Sequence, residues 1–341
     1  MTAVPTITLN DGVEIPQLGF GVFQVPPEDT KKATLEALEV GYRHIDTAEM
    51  YGNEKGVGEA IAESGIARGD IFVTSKLNNS FHARDDALKA FDGTMDALGF
   101  ETLDLFLIHW PMPATLDYVV TWKAMEEIKA TGRVRSIGVS NFQPAHLQRL
   151  FDETETVPSV NQVELHPYLT NETVRAFNTE HGIATEAWSP IAQGKVLTDP
   201  VITQIADRVG RSAAQVTLRW HIQRGEIVFP KSVTRSRVEE NFALFDFELT
   251  DADIAAITAL NRDERKRPQK RNCPPRERRA VSFVGVDYSV ASDSSSSSAL
   301  KLLSSPRVTA IPSSELGIVW SSPTPSGFFL SFMSEHLLSC A

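Results

Sequence analysis

The chain has 341 residues, 42% of them hydrophobic, and carries 33 Lys and Arg against 44 Asp and Glu, for a net charge of −11. That length houses a large core in one enzyme-sized domain, and the acidic balance argues against nucleic acid as the main partner. Two cysteines, Cys273 and Cys340, both near the end, exclude a disulfide framework and offer no metal-ligand spacing.

In chain order, Ile7-Thr8-Leu9 and Val13-Glu14-Ile15 flank Asn10-Asp11-Gly12, a hairpin signal. Strand-like runs then alternate with amphipathic helical patterns: 18–22 with helix 28–39, 42–46 with 54–64, 71–76 with 84–98, and 103–109 with 118–131. The same beat continues with 134–139 and helix 144–153, 159–165 and 171–180, 184–188 with 198–208 and 212–223, and 227–230 with 235–244. A final helical pattern covers 251–260. Eight βα units with short connections predict an α/β fold, a (β/α)8 TIM barrel over 1–263 whose bottom the hairpin caps. An open doubly wound sheet satisfies the same alternation.

The text changes character at Glu264. Residues 264–279 hold eight basic residues with Pro268, Pro274 and Pro275 among them, and 292–298 are nearly pure serine. From 264 onward ten Lys and Arg face six Asp and Glu, leaving 23 against 38, or −15, for residues 1–263. Such a tail buries too little apolar surface to offset its ordering entropy, so 264–341 is expected to be disordered or weakly ordered. A genuine appended tail and an out-of-frame reading fit these amino acids equally. Apolar runs reach the length of a strand, short of the roughly 18–20 residues of a membrane span, and the first residues lack a charged stretch followed by an apolar one. A cytoplasmic protein with no membrane partner is the expectation.

Chemistry gathers at the ends of three successive runs. Asp46 ends the first with Tyr51 just beyond it, Lys76 ends the second and His109 the third. Parallel neighbours bring these ends to one face, where (β/α) barrels keep their reacting groups. A tyrosine serves as general acid near neutral pH if its pKa, ordinarily about 10, comes down toward the working range. An ammonium beside it favours the phenolate, so Lys76 is expected to lower Tyr51. Asp46 would pair with Lys76, and His109 would donate to a carbonyl oxygen held between it and Tyr51. Taken singly, these read as an ordinary ion pair, a packing tyrosine and a structural histidine; their joint placement favours a site.

The stretch Gly41-Tyr42-Arg43-His44-Ile45-Asp46-Thr47-Ala48-Glu49-Met50-Tyr51-Gly52-Asn53-Glu54, continuing to Val57-Gly58, resembles the first signature of the aldo-keto reductase family. Two more agree in order, Val134-Arg135-Ser136-Ile137-Gly138-Val139-Ser140-Asn141 and the run from Phe229 to Asn241. The likeness covers about residues 6–263 and is nearest in look to the bacterial 2,5-diketo-D-gluconate reductase-like group. It implies a monomer that reduces aldehydes or ketones with NADPH and no metal, keto-sugars or diketones among its substrates. By this resemblance Tyr51 is the proton donor, Lys76 and Asp46 tune it, and His109 orients the carbonyl.

For the cofactor, the resemblance assigns Ser140, Asn141 and Gln162 to the nicotinamide carboxamide, Trp188 to stacking on the ring, and Ser189, Ile191 and Gln193 to the pyrophosphate. Lys231, Ser232 and Arg237, with Val233 and Thr234 between them, match the grip on the 2′-phosphate, and Glu240 and Asn241 the adenine. A lysine, a hydroxyl and an arginine near a helix start form a plausible phosphate site on charge alone, as well as a solvated helix end. Gly52-Asn53-Glu54-Lys55-Gly56-Val57-Gly58 has the wrong spacing for a dinucleotide fingerprint. Phe23 and Trp110 match apolar pocket positions. Leu77-Asn78-Asn79 departs from the Leu-Trp that many relatives have after the lysine, which removes an aromatic wall, and the closing loop of relatives is replaced by the basic tail. A second reading keeps the barrel and NADPH but makes the protein a cofactor-binding regulator with weak turnover; a third has 265–279 bind membrane or nucleic acid.

Overall fold

The computed structural model describes residues 4–113 and 116–265, together with the backbone of two short strands farther on. The chain divides into two units, 1–266 and 267–341.

In the first unit, β1 (Thr6–Thr8) and β2 (Glu14–Pro16) form the antiparallel hairpin. Eight parallel strands follow: β3 (Phe20–Gly21), β4 (His44–Asp46), β5 (Phe72–Leu77), β6 (Leu103–Ile108), β7 (Val134–Ser140), β8 (Val160–Glu164), β9 (Ala184–Trp188) and β10 (Ile227–Val228). Each pairs with its sequence neighbour. Leu18 bridges Val228 in parallel, the Gly19 amide donates to Val228 O at 2.8 Å, and the Val228 amide donates to Gln17 O at 3.0 Å. The last strand thus returns beside the first, and closure removes the doubly wound alternative. These two closing strands are shorter than the runs 18–22 and 227–230 suggest, because the seam holds only a few ladder bonds.

Helices α1 (Pro27–Val40), α2 (Glu54–Glu63), α3 (Arg84–Leu98), α4 (Tyr118–Ala130), α5 (Pro144–Glu153), α6 (Glu172–Glu180), α7 (Pro200–Val209), α8 (Ala213–Gln223) and α9 (Arg235–Phe242) wrap the sheet, and α10 (Asp251–Thr258) follows. β5 and β6 are buried at every position, since barrel interior and helices cover both faces, and their sequences are accordingly apolar for long stretches. Local chemistry sets the helix ends: Pro27 opens α1, and reciprocal capping pairs Ser212 with Gln215 and Thr250 with Asp253 at the starts of α8 and α10. Gly58 lies inside α2, where a Cβ would sit 2.1 Å from Leu98 O at the end of α3. That glycine of the first signature therefore serves close helix packing.

Asp11 at the hairpin tip accepts from Lys129 Nζ (2.7 Å), Ser136 Oγ (3.2 Å) and Ser159 Oγ (3.0 Å). Ser136 is near the start of β7 and Ser159 just precedes β8, so the hairpin covers the N-terminal end of the barrel. The opposite end stays free for Asp46, Lys76 and His109. Glu264 is held by its amide to Tyr168 O at 2.9 Å and by its carboxylate to Lys195 at 2.7 Å. In the second unit β11 (Gly317–Val319) pairs antiparallel with β12 (Ser331–Met333). The disorder expected from 264 onward otherwise falls on residues outside those described. No helix among the described residues is long and apolar enough to cross a membrane.

Candidate active site

Asp46 ends β4 and Lys76 is the penultimate residue of β5, which places both side chains at the C-terminal end of the barrel. The Lys76 side chain is fully buried, and its Nζ donates to Asp46 Oδ1 and Oδ2 (2.8 and 3.0 Å), Thr47 O (2.8 Å) and Tyr51 Oη (3.4 Å). An ammonium has three hydrogens, so these partners use all of them. Tyr51 closes a 3-10 turn, Glu49–Tyr51, whose exit at Gly52 needs a left-handed φ of 68°. Asn53 pins that turn: it accepts from Thr47 Oγ1 (2.9 Å) and donates to Val22 O (3.0 Å) and Val25 O (3.2 Å). The Tyr51 ring lies 5.0 Å from that of Phe23 and 5.9 Å, edge to face, from that of His109.

Burial pushes the Lys76 ammonium down, yet the interactions around it, that with the adjoining Asp46 carboxylate foremost, together outweigh burial and hold the lysine above its usual value, hence charged. For Tyr51 burial pushes the phenol up, and the pull of Lys76 offsets only part of that. The expectation of a lowered tyrosine is thereby corrected: removing the phenolate from water costs more than one ammonium at 3.4 Å returns. Burial first, and then Lys76, bring His109 down to about 3, so it is a neutral imidazole. Its Nδ1 is buried without a partner among the described residues. A stranded lone pair costs less than a stranded N–H, which assigns the hydrogen to Nε2.

A second network adjoins the first. Ser140 Oγ donates to Gln162 O (2.8 Å); Asn141 Nδ2 donates to His109 O (2.9 Å) and Ser140 Oγ (3.0 Å); Trp188 Nε1 donates to Asn141 Oδ1 (3.0 Å). Asn141 holds a φ of 65° to do this. Gln162 Nε2 donates to Asp46 Oδ2 at 2.9 Å and to Glu186 Oε2 at 2.7 Å. The two clusters are thus one hydrogen-bonded unit, reaching from Tyr51 to Trp188. Glu186 is absent from the residues that motif reading singles out. Its signal is a charged residue in the middle of a barrel strand, where an apolar one is the norm.

Burial first, then the Asp46 charge, raise Glu186 to about 8 from an ordinary 4.5. Below the lower value both folded and unfolded chains hold this proton. As pH rises through the window the unfolded chain releases it while the folded chain retains it, so stability falls by at most roughly 5 kcal/mol at 1.36 kcal/mol per unit. A Glu186→Gln chain lacks this loss. Urea unfolding at acidic and mildly alkaline pH is expected to show the variant gaining on the parent as pH rises; a difference independent of pH would contradict the assignment.

The loop after β9 carries Ser189, Ala192, Gln193 and Gly194 at φ of 53°, 48°, 53° and 90°. Non-glycine residues held there store strain, which is found preferentially at ligand sites. Next to β10, Ser232 Oγ accepts from the Thr234 amide at 3.1 Å, and Thr234 begins α9 without a side-chain cap. Lys231 and Arg237 are exposed and take no ion pair among the described residues, whereas Arg235 between them is paired with Glu39 and Glu239. Val233 is exposed, Asn241 buried and Glu240 half-buried; Gln215 donates to the backbone carbonyl of Glu240. Phe23 stands 51% exposed beside Tyr51, with Met50 also exposed, and Trp110 follows His109 half-buried. Ile191 packs on the core at the loop's start.

A family model described as "Aldo/keto reductase family" matches residues 17–262. The chain belongs to the aldo/keto reductase family. It is 54% identical over 267 residues to an aldo-keto reductase of Mycolicibacterium smegmatis, covering 78% of this chain and 97% of that protein. It is 46% identical over 269 residues to the methylglyoxal reductase DkgA of Escherichia coli, covering 78% and 97%. Among solved structures, a Gox0644 mutant in complex with NADPH superposes with a TM-score of 0.76 at 43% identity, over 80% of this chain and all of the other. Membership makes the chain an oxidoreductase.

Proposed function

We propose that this protein reduces small aldehydes and ketones to alcohols with NADPH, with Tyr51 as proton donor and His109 as the group that orients the carbonyl. The observation that carries this is the buried Lys76 ammonium, bonded at once to Asp46 and to the Tyr51 hydroxyl, with neutral His109 alongside.

When bound, NADPH supplies the hydride that goes to the carbonyl carbon. His109 Nε2–H and the Tyr51 hydroxyl donate to the carbonyl oxygen, which fixes its position and stabilises the charge that grows there. Because burial keeps the phenol protonated, Tyr51 enters each turnover with its proton in place, and an alkoxide is a stronger base than a phenolate. The proton therefore passes from Tyr51 Oη to the product oxygen, and Lys76 stabilises the phenolate left behind until solvent reprotonates it. Asp46 keeps Lys76 charged and aimed.

The residues fit the cofactor. Gln162 Oε1 takes no hydrogen bond from any described residue, which leaves one acceptor for a carboxamide NH2 beside the half-buried Trp188 indole. Asn141 and Ser140 would complete that grip, and the loop residues Ser189, Ile191 and Gln193, the first and last of them in left-handed backbone, would meet the pyrophosphate. Lys231 and Arg237, unpaired with any acid among the described residues, together with Ser232, Val233 and Thr234 at the open start of α9, would hold the 2′-phosphate, with Glu240 and Asn241 at the adenine. Arg237→Ala is expected to weaken NADPH binding by about 10–100-fold, the worth of a charge-assisted hydrogen bond, and to leave NADH nearly unchanged. Fluorescence titration with each cofactor checks this; equal losses would remove the 2′-phosphate assignment.

The name of the DkgA relative supports small dicarbonyls as first substrates, with keto-sugars and diketones next. Phe23 and Trp110 make the mouth apolar, while Asn78 offers a polar contact where many relatives have the Trp of Leu-Trp. We take the working form to be a cytoplasmic monomer. Incubation with methylglyoxal and NADPH deuterated at the transferred position tests the function: deuterium is expected on the product's carbinol carbon. A tightly binding chain that transfers none would favour the regulator reading.

A further inference from the structure

We propose that Glu186 is a positioning residue that clamps the Gln162 amide so that only its oxygen faces the nicotinamide carboxamide. This rests on the reading that Gln162 lies at that carboxamide.

Gln162 and Glu186 are register partners on β8 and β9, and Ser140 is the partner of Gln162 on β7, so three adjacent strands bring these side chains to one level of the barrel. A primary amide has two N–H hydrogens. In Gln162 one goes to Asp46 Oδ2 across the barrel at 2.9 Å and the other to Glu186 Oε2 beside it at 2.7 Å. Both acceptors are buried, Asp46 at 2% and Glu186 at 0% exposure. The nitrogen must face them, because turning the amide over would set its carbonyl oxygen against the Asp46 carboxylate. Asp46 alone fixes which end is nitrogen but leaves the amide free to swing about its own axis. The second bond, to Glu186, stops that swing and makes Oε1 the sole unspent group of the side chain.

Glu186 touches neither the reacting atoms nor Tyr51, and Gln162 separates it from Asp46. Its effect should therefore appear in how the nicotinamide end of the cofactor is held, and the adenosine end should not register it. In Glu186→Met the chain length is kept and the acceptor removed; in Glu186→Gln the side-chain oxygen remains to accept from Gln162.

The test measures binding of NADPH and of adenosine 2′,5′-bisphosphate, which lacks the nicotinamide, to the full-length parent, Glu186→Met, Glu186→Gln and Gln162→Met. Glu186→Met is expected to weaken NADPH by about tenfold, the scale of one hydrogen bond and its geometry, while the bisphosphate stays within about twofold. Glu186→Gln is expected to bind both as the parent does. Retention of the bisphosphate shows that the variants are folded. NADPH binding unchanged in Glu186→Met but weakened in Gln162→Met would overturn the clamp and spare the site. Equal weakening of both ligands in Glu186→Met would assign Glu186 a merely structural part. Unchanged NADPH binding in Gln162→Met would overturn the underlying reading, and the clamp with it.

Discussion

Tyr51→Phe is expected to lower kcat by about 10²–10⁴-fold, the usual worth of a positioned general acid, with NADPH affinity unchanged. The substitution removes one oxygen and keeps the ring against Phe23 and His109. Lys76 loses only its longest contact, the 3.4 Å one, and keeps Asp46 and the Thr47 carbonyl. Fold and ion pair therefore survive, and the loss falls on proton transfer. The same tyrosine sets a pH signature. Because its pKa lies above the ordinary 10, reduction should not lose its acid anywhere in the neutral and mildly alkaline range. Alcohol oxidation needs the phenolate and should quicken as pH rises. Steady-state rates in both directions check this, and a reduction rate that falls through neutral pH would put a different group in the acid's place.

The second large effect is expected at Lys76. Lys76→Met leaves the Asp46 carboxylate, 3% exposed, with Gln162 as its remaining hydrogen-bond donor among those described. Stranding one member of a buried ion pair costs about 3–5 kcal/mol, a large share of the 5–15 kcal/mol that holds a typical domain together. Turnover should fall as well, since the phenolate formed by proton transfer would have no cation beside it. Adding Asp46→Asn removes the stranded charge, so the double variant should recover most of the stability and none of the activity. Urea unfolding with kcat for the three chains separates the two roles. A Lys76→Met chain as stable as the parent, or a double variant that regains turnover, would contradict them.

The barrel was legible because its strands are buried on both faces and so spell apolar runs, while the helices between them show one apolar stripe each. Asp46, Lys76 and His109 were legible because polar groups interrupt those runs at their ends. The direction of the Tyr51 shift was hidden, because a neighbour in sequence reports the ammonium but not the volume of protein that excludes water. Glu186 was hidden for a related reason: its meaning comes from Gln162 and Asp46, which lie 24 and 116 residues apart from their partners in the chain. The closing seam was blurred because Leu18–Gly21 and Ile227–Val228 meet only in three dimensions. Left-handed backbone at Ser189, Ala192 and Gln193 has no marker in residues that usually avoid it.

One assay bears most directly on the function: consumption of NADPH by the full-length chain with a small dicarbonyl such as methylglyoxal, alongside recovery of the alcohol. The expected result is one alcohol formed per NADPH consumed, with NADH a much poorer donor. NADPH bound tightly but not consumed with methylglyoxal, glyoxal or keto-sugars would contradict the reductase and leave a cofactor-binding regulator in its place.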